Sequence, residues 1–240
     1  FFLKVFNLTN TLDSANQIWH WKELLTLVSL VCSFLMIIPA ARWLLTLPYF
    51  GVLVYPVPQA LPKPKNRARI IFWGSILFSS ILACFSFIPL SELSKILFTD
   101  ASSRIQTWFF PQRMNNAVML WAVLNGLVGL LLFYLSYYLF GKKNGITQNM
   151  LGVNITKNEL LKTIYLGLLI FFFYFMLINV IYYLFHVDYR FIFFGVRVFR
   201  PITLLLIPMY LPPFLIFFIS NSIRVNSAMR IGGQSIKKHL

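Results

Sequence analysis

Acidic residues are scarce in this chain: 6 Asp and Glu stand against 21 Lys and Arg in 240 residues, so the formal net charge is +15. Charged residues together make up 11% of the sequence, whereas soluble domains carry about 25%. Hydrophobic residues make up 59%, which excludes a disordered chain, and two cysteines are too few for a disulfide scaffold. A water-soluble domain of this size could not bury so much apolar side chain. Composition therefore predicts an all-α helical bundle in a lipid bilayer.

Sequence motifs that carry chemistry are also missing. There is no H-E-x-x-H, C-x-x-C, P-loop or G-x-G-x-x-G pattern. The histidines His20, His186 and His239 are never at metal-ligand spacing. The string G-Q-S-I-K at residues 233–237 lacks the second glycine of a nucleophile elbow. We therefore expect no catalytic set, no metal site and no cofactor in this segment.

Five apolar runs remain once the polar stretches are set aside. A helix needs about 20 apolar residues to cross the hydrocarbon core of a bilayer. Residues 1–23 are less apolar, and we interpret them as the end of a preceding domain and a linker within a longer polypeptide. Residues 24–240 are the predicted transmembrane domain. Its predicted spans are residues 24–41, 70–90, 117–140, 164–185 and 201–219.

The fifth run differs from the others because it contains Pro208, Pro212 and Pro213. Proline lacks a backbone N–H and cannot donate the hydrogen bond of a helix interior. We therefore expect this helix to be kinked or broken near its middle.

Lysine and arginine are distributed unevenly between the two sides of such a bundle. Five spans place residues 1–23, 91–114 and 186–200 on one side and residues 42–69, 141–163 and 220–240 on the other. The first side carries eight of the 21 basic residues and the second side carries thirteen. Because cytoplasmic loops are enriched in Lys and Arg, the second side is predicted to be cytoplasmic, and residue 1 is predicted to be extracellular at the cell membrane. Basic residues set between apolar runs do not form the basic face of a nucleic-acid-binding fold.

Small and polar residues within the spans indicate where helices pack. Small side chains that recur every four residues let helix backbones approach closely. An amide in hydrocarbon needs a partner, so we expect each Asn to bond to a neighbouring helix. The alternative is that the small residues line a substrate path. The predicted packing residues are Ser75, Ser79, Ala83, Ala122, Asn125, Gly126 and Asn179.

Aromatic and charged residues at the predicted outer side favour the membrane interface, where indole rings and snorkelling arginines are stable. Residues 186–200 place two arginines seven positions apart, opposite apolar side chains, which predicts a short interfacial helix. These residues are either membrane anchors or contacts to a soluble domain. The set is Trp19, Trp21, Asp188, Arg190 and Arg197.

Several strings resemble the multi-spanning membrane region that follows the catalytic domain in bacterial membrane-bound α/β hydrolases of the dienelactone-hydrolase-like group. They are Q-I-W-H-W-K-E at residues 17–23, D-Y-R-F at 188–191, Y-L-P-P-F at 210–214 and F-F at 217–218, together with Asn221, Asn226 and Arg230. None of these motifs is catalytic.

The resemblance implies that an α/β-hydrolase domain with a Ser nucleophile, an acid and a His precedes residue 1 and faces the outside of the cell. The segment would then anchor that domain and give it access to lipid-linked or envelope-linked esters. Its partners would be the bilayer and the catalytic domain of the same chain.

Two other functions stay open. The chain could be a membrane subunit of a transporter or export complex, with the proline-containing span as the binding element. No acidic or basic residue lies well inside a predicted span, which argues against ion-coupled transport. A third hypothesis is an enzyme at the outer interface that uses His186, Asp188 and Arg190.

Overall fold

The computed structural model describes residues 19–56, 60–192, 194–196, 198 and 201–231. Helices make up 77% of the described residues, which confirms the helical class. In chain order the α-helices are α1 (Trp19–Leu35), α2 (Ile37–Leu45), α3 (Arg67–Leu97), α4 (Thr99–Ser102), α5 (Arg113–Ser136), α6 (Gln148–Leu151), α7 (Lys157–Phe185), α8 (Pro201–Leu204) and α9 (Ile207–Met229). Two short strands, β1 (Tyr189–Phe191) and β2 (Phe194–Val196), lie between α7 and α8. The chain forms two compact units and passes from one to the other after residues 54, 156 and 199.

Within the described residues, four helical segments are long and apolar enough to cross a membrane: Trp19–Leu45, Arg67–Leu97, Arg113–Asn144 and Lys157–Phe185. These segments contain the first four predicted spans. Many of their large apolar side chains face outward; Phe85 is 76% exposed and Ile88 is 73% exposed. An apolar surface of this kind is stable in lipid and unstable in water.

The first unit contains α1, α2, α7, the two strands and a 3₁₀ helix over Pro48–Leu53. Aromatic contacts join α7 to the N-terminal helices. The Phe34 ring stacks on the Tyr174 ring at 6.1 Å between centroids, and the Phe50 ring stacks on the Tyr165 ring at 5.9 Å. The Ser33 hydroxyl lies 3.0 Å from the Tyr174 hydroxyl, which adds a hydrogen bond to the same face.

The second unit is built on α3, α5 and α9. Helix α5 buries a stripe of small side chains, and Ala122 is only 1% exposed. A Cβ atom on Gly126 would lie 2.8 Å from the backbone N of Phe217, so α5 and α9 approach as closely as glycine permits. On the α3 side, the Trp121 indole N–H donates to the Ala83 carbonyl at 2.8 Å. The predicted packing stripe is therefore in contact with both neighbouring helices.

The residues after α7 form a β-hairpin and not the predicted interfacial helix. β1 pairs with β2 in antiparallel register, with Tyr189 opposite Val196 and Phe191 opposite Phe194. Ile192, beside the turn, has a φ of 52°, which a right-handed helix cannot contain. The many aromatic and β-branched residues favour extended backbone here. This local preference outweighs the helical spacing of the two arginines.

The fifth predicted span also differs from expectation. Among the described residues it contributes no segment that meets the length and hydropathy of a membrane span. The break in the helix lies at residues 205–206, and α9 continues through Pro212 and Pro213 to Met229. Each proline removes one backbone hydrogen bond, but the contact with α5 holds the helix together through this region.

Replacing Gly126 with alanine should destabilise the second unit by about 1–3 kcal/mol, because the added methyl group meets the backbone of α9. The measurement is the thermal unfolding midpoint in detergent. Gly74→Ala is the matched control, since a Cβ at Gly74 has no neighbour within 4 Å. Equal midpoints for the two variants would contradict the close packing of α5 and α9.

Candidate functional site

A cavity of about 1030 Å³ lies at one end of the second unit. Its walls are the first turns of α3, the last turns of α5 and the last turns of α9. The connecting residues 61–66 and parts of 140–151 complete the lining. The volume is large enough for an organic ligand of considerable size.

One wall of the cavity is apolar. Phe72 and Ile76 come from α3, Leu132 and Phe133 come from α5, and Val225 comes from α9. Side chains of this kind contact hydrocarbon and offer no hydrogen bonds.

The polar part of the lining is strongly basic. It includes Lys63, Lys65, Arg67 and Arg224, and it includes no Asp or Glu. Among the described residues, no carboxylate pairs with any of these four cations. The cavity therefore concentrates positive charge beside an apolar wall, and its field favours an anion.

Arg224 is the deepest of the four cations. Its guanidinium Nη2 donates to the Ser79 hydroxyl at 2.9 Å, and its Nη1 lies 2.9 Å from the position of a Cβ on Gly129. Ser79 is twelve residues along α3 from Arg67, which is about 18 Å at the rise of an α-helix. Arg224 lies outside the predicted span 201–219, because α9 continues ten residues beyond it to Met229. The expectation that no charged residue lies well inside a predicted span is therefore untouched, but this guanidinium reaches α3.

Arg230 follows the last residue of α9 and lies next to Ile231, which lines the cavity. Its side chain is buried, with 3% exposure, and donates from Nη1 to the Met150 carbonyl at 2.6 Å and from Nε to the Asn226 carbonyl at 3.2 Å. Its own carbonyl accepts the Leu61 N–H at 2.9 Å. Loss of water around the guanidinium lowers the pKa of Arg230. Arg230 thus joins α9 to both connecting segments of the lining.

The predicted packing residues fall into two groups. The five small residues contact the cavity or a neighbouring helix. Ser75 lines the cavity, and the Ser79 hydroxyl accepts a hydrogen bond from Arg224. The Ala83 carbonyl accepts the Trp121 indole N–H, and Ala122 and Gly126 are buried against neighbouring helices.

The two asparagines behave differently from expectation. Asn125 donates to the Trp121 carbonyl and Asn179 donates to the Phe175 carbonyl, each within its own helix. An amide can reach the carbonyl four residues earlier, so it needs no second helix to be satisfied.

The predicted interfacial residues come together at one end of the first unit. Trp19 and Trp21 are 61% and 59% exposed at the start of α1. Near them, the Glu23 carboxylate accepts the Ile192 N–H of the hairpin at 3.1 Å. Asp188 directly precedes the first strand of this hairpin and is half-buried, and Arg190 lies in that strand and is exposed. Arg197 lies outside the described residues.

A buried polar network in the second unit was missed by the sequence analysis. The Tyr210 hydroxyl donates to Asn116 Oδ1 at 2.6 Å and accepts the Gln112 N–H at 3.1 Å. Asn116 also donates to the Phe110 carbonyl at 2.7 Å, and its exposure is 1%. The only signal in the sequence was the appearance of Tyr210 in the Y-L-P-P-F string. This network joins the first turn of α5 to α9 at the end opposite to the cavity.

Metal-ligating side chains are not clustered in the described part of the chain. No three His, Cys, Asp or Glu side chains in this part of the chain are grouped as metal ligands would be. Comparison of the chain with models of protein families, with curated proteins and with solved structures finds no match. The membrane-length helices and the cavity are the features of the molecule that bear on its function.

Replacing Arg230 with alanine should loosen residues 150–153, because the Met150 carbonyl loses a charged donor worth about 1.5–3 kcal/mol. Hydrogen–deuterium exchange of these amides should become about tenfold faster or more. Arg69→Ala is the control, since Arg69 is exposed on α3. Unchanged exchange in Arg230→Ala would show that this contact does not hold residues 150–153 in place.

Proposed function

We propose that this chain is a non-catalytic, multi-spanning membrane domain. The observation that carries the proposal is the set of four segments of 27 to 32 residues, apolar enough to cross a bilayer and with their large apolar side chains facing outward. Each segment exceeds the length needed to cross about 30 Å of hydrocarbon. The unequal distribution of Lys and Arg supports a cytoplasmic position for residues 141–163.

Reporter fusions test this topology. Arg104 and Lys143 lie beyond opposite ends of α5, a helix of 24 residues and about 36 Å. A reporter at Lys143 should be active only in the cytoplasm, and a reporter at Arg104 should be active only outside. Both signals on one side of the membrane would exclude α5 as a span.

We further propose that the domain anchors an outward-facing α/β hydrolase and gives it access to lipid-linked or envelope-linked esters. The support is the resemblance carried by the strings at residues 17–23, 188–191 and 210–214. In this chain those strings have structural roles: Glu23 bonds to the hairpin that begins at Tyr189, and Tyr210 bonds to Asn116. Anchoring alone would need one span, so several spans favour a role in substrate access.

The coding sequence upstream of residue 1 tests the hydrolase proposal. Within about 250 residues, the size of one domain, it should encode G-x-S-x-G followed by an Asp and a His. Removing everything from Asn7 onward from the intact protein should preserve hydrolysis of a water-soluble ester and greatly reduce hydrolysis of a membrane-borne ester. The proposal would be contradicted if the truncation reduced hydrolysis of the two esters equally. It would also be contradicted if the upstream sequence lacked the motif.

A second candidate function is a subunit of a transporter or export complex. The observation that favours it is Arg224, a cation placed between α3, α5 and α9. Basic residues at membrane depth commonly mark the path of a charged solute. Uptake of an anion by vesicles containing the purified chain, abolished by Arg224→Gln, would favour transport over anchoring.

The third hypothesis, an enzyme at the outer interface, has less support. Tyr189 stands beside Asp188 and Arg190, and burial, with a smaller contribution from Tyr174, raises the pKa of the Tyr189 hydroxyl. A tyrosine hydroxyl is already neutral at physiological pH, so this shift does not turn Tyr189 into a base for the neighbouring residues. His186 is exposed at the end of α7.

A further inference from the structure

We propose that the cavity of the second unit binds an anionic amphiphile, namely a phospholipid whose headgroup carries a net negative charge. This inference depends on the proposed insertion of the chain in a membrane and does not depend on the hydrolase proposal. It assigns a ligand to a site made by α3, α5 and α9 and the residues that connect them.

The charge of the lining selects an anion. Lys63, Lys65 and Arg67 lie on the connecting segment and the first turn of α3, and Arg224 lies at the inner end. Because the lining contains no Asp or Glu, no carboxylate of the cavity neutralises the four positive charges. Residues 232–240 carry Lys237 and Lys238 and no Asp or Glu, so these nine residues add no counter-charge.

The apolar wall selects an amphiphile over a small inorganic ion. The space between Arg224 and the cations at residues 63–67 is lined by apolar side chains. They are Phe72 and Ile76 of α3 and Leu132 and Phe133 of α5. A free phosphate would leave this wall without a partner, whereas acyl chains would cover it. Basic pockets between transmembrane helices are a known means of holding phospholipid headgroups.

The position of the cavity also fits this ligand. The proposed topology puts Lys63, Lys65 and Arg67 on the cytoplasmic side, and the cytoplasmic leaflet is the one rich in anionic lipid. An outward-facing catalytic domain would lie at the opposite end of α5. The bound lipid is therefore not the substrate of such a domain; it is a resident lipid that holds α3, α5 and α9 together.

Native mass spectrometry of the purified chain in neutral detergent tests the site. The probes are phosphatidylglycerol and phosphatidylcholine with identical acyl chains, and inorganic phosphate. The chain should bind phosphatidylglycerol at least tenfold more tightly than phosphatidylcholine. Phosphatidylglycerol should also raise the thermal unfolding midpoint more, because a ligand that binds only the folded state stabilises it.

Variants locate the binding. Each cation removed should weaken phosphatidylglycerol binding about fivefold, so Lys63→Gln/Lys65→Gln/Arg67→Gln should lose about 100-fold and Arg224→Gln about fivefold. Lys142→Gln/Lys143→Gln is the matched control, because both lysines are exposed near the same end of α5 and outside the lining. Ala228→Trp should block the cavity, whereas Leu77→Trp on the exposed face of α3 should not.

Three results would overturn the proposal. The first is equal affinity of the wild-type chain for the two lipids. The second is that the triple variant and the Lys142/Lys143 control lose the same affinity for phosphatidylglycerol. The third is displacement of phosphatidylglycerol by equimolar inorganic phosphate. The last result would assign the site to a soluble anion. If Arg224→Gln does not fold, the triple variant and Ala228→Trp still decide the question. Failure to co-float with vesicles of phosphatidylcholine would instead contradict the proposed membrane insertion.

Discussion

The close approach of α5 and α9 is the contact from which the second unit is organised. Glycine at position 126 lets the backbones of the two helices touch. One turn further along, Gly129 leaves space for the Arg224 guanidinium, which reaches across to Ser79 of α3. A side chain at either glycine would separate the helices or displace the arginine. The position of the deepest positive charge in the cavity therefore depends on two residues that carry no side chain.

Polar side chains of these helices form hydrogen bonds either within their own helix or to another part of the chain. Only the second kind helps to define the tertiary structure. Most hydroxyls and amides, such as those of Ser80 and Asn125, bond to a carbonyl of their own helix. Such bonds satisfy the group wherever the helix is placed. Other bonds connect distant residues of the described chain, among them Trp121 to Ala83 and Tyr210 to Asn116. In an apolar solvent, where hydrophobic burial contributes little, these bonds and close van der Waals contact determine how helices pair.

The composition and the cavity have a common physical basis. A chain with 21 basic and 6 acidic residues can pair few of its cations internally, and Glu92 and Lys95 form the salt bridge identified among the described residues. Anionic lipid at the cytoplasmic surface is a suitable external counter-charge for such a chain. Under the proposed topology, the four cations of the cavity would place this need for counter-charge between the helices as well as at the membrane surface.

The sequence by itself determined the helical class, the first four apolar segments and the small-residue stripe of α5, because each depends on local spacing and hydropathy. Only the tertiary structure decided the β-hairpin, the position of the break before α9 and the cavity. The hairpin depends on pairing between Tyr189 and Val196, which helical periodicity does not reveal. The cavity depends on residues from 61 to 231 meeting at one end of a unit. Arg224 seemed to belong to a loop because hydropathy ends the span at residue 219, whereas packing against α5 continues the helix to residue 229.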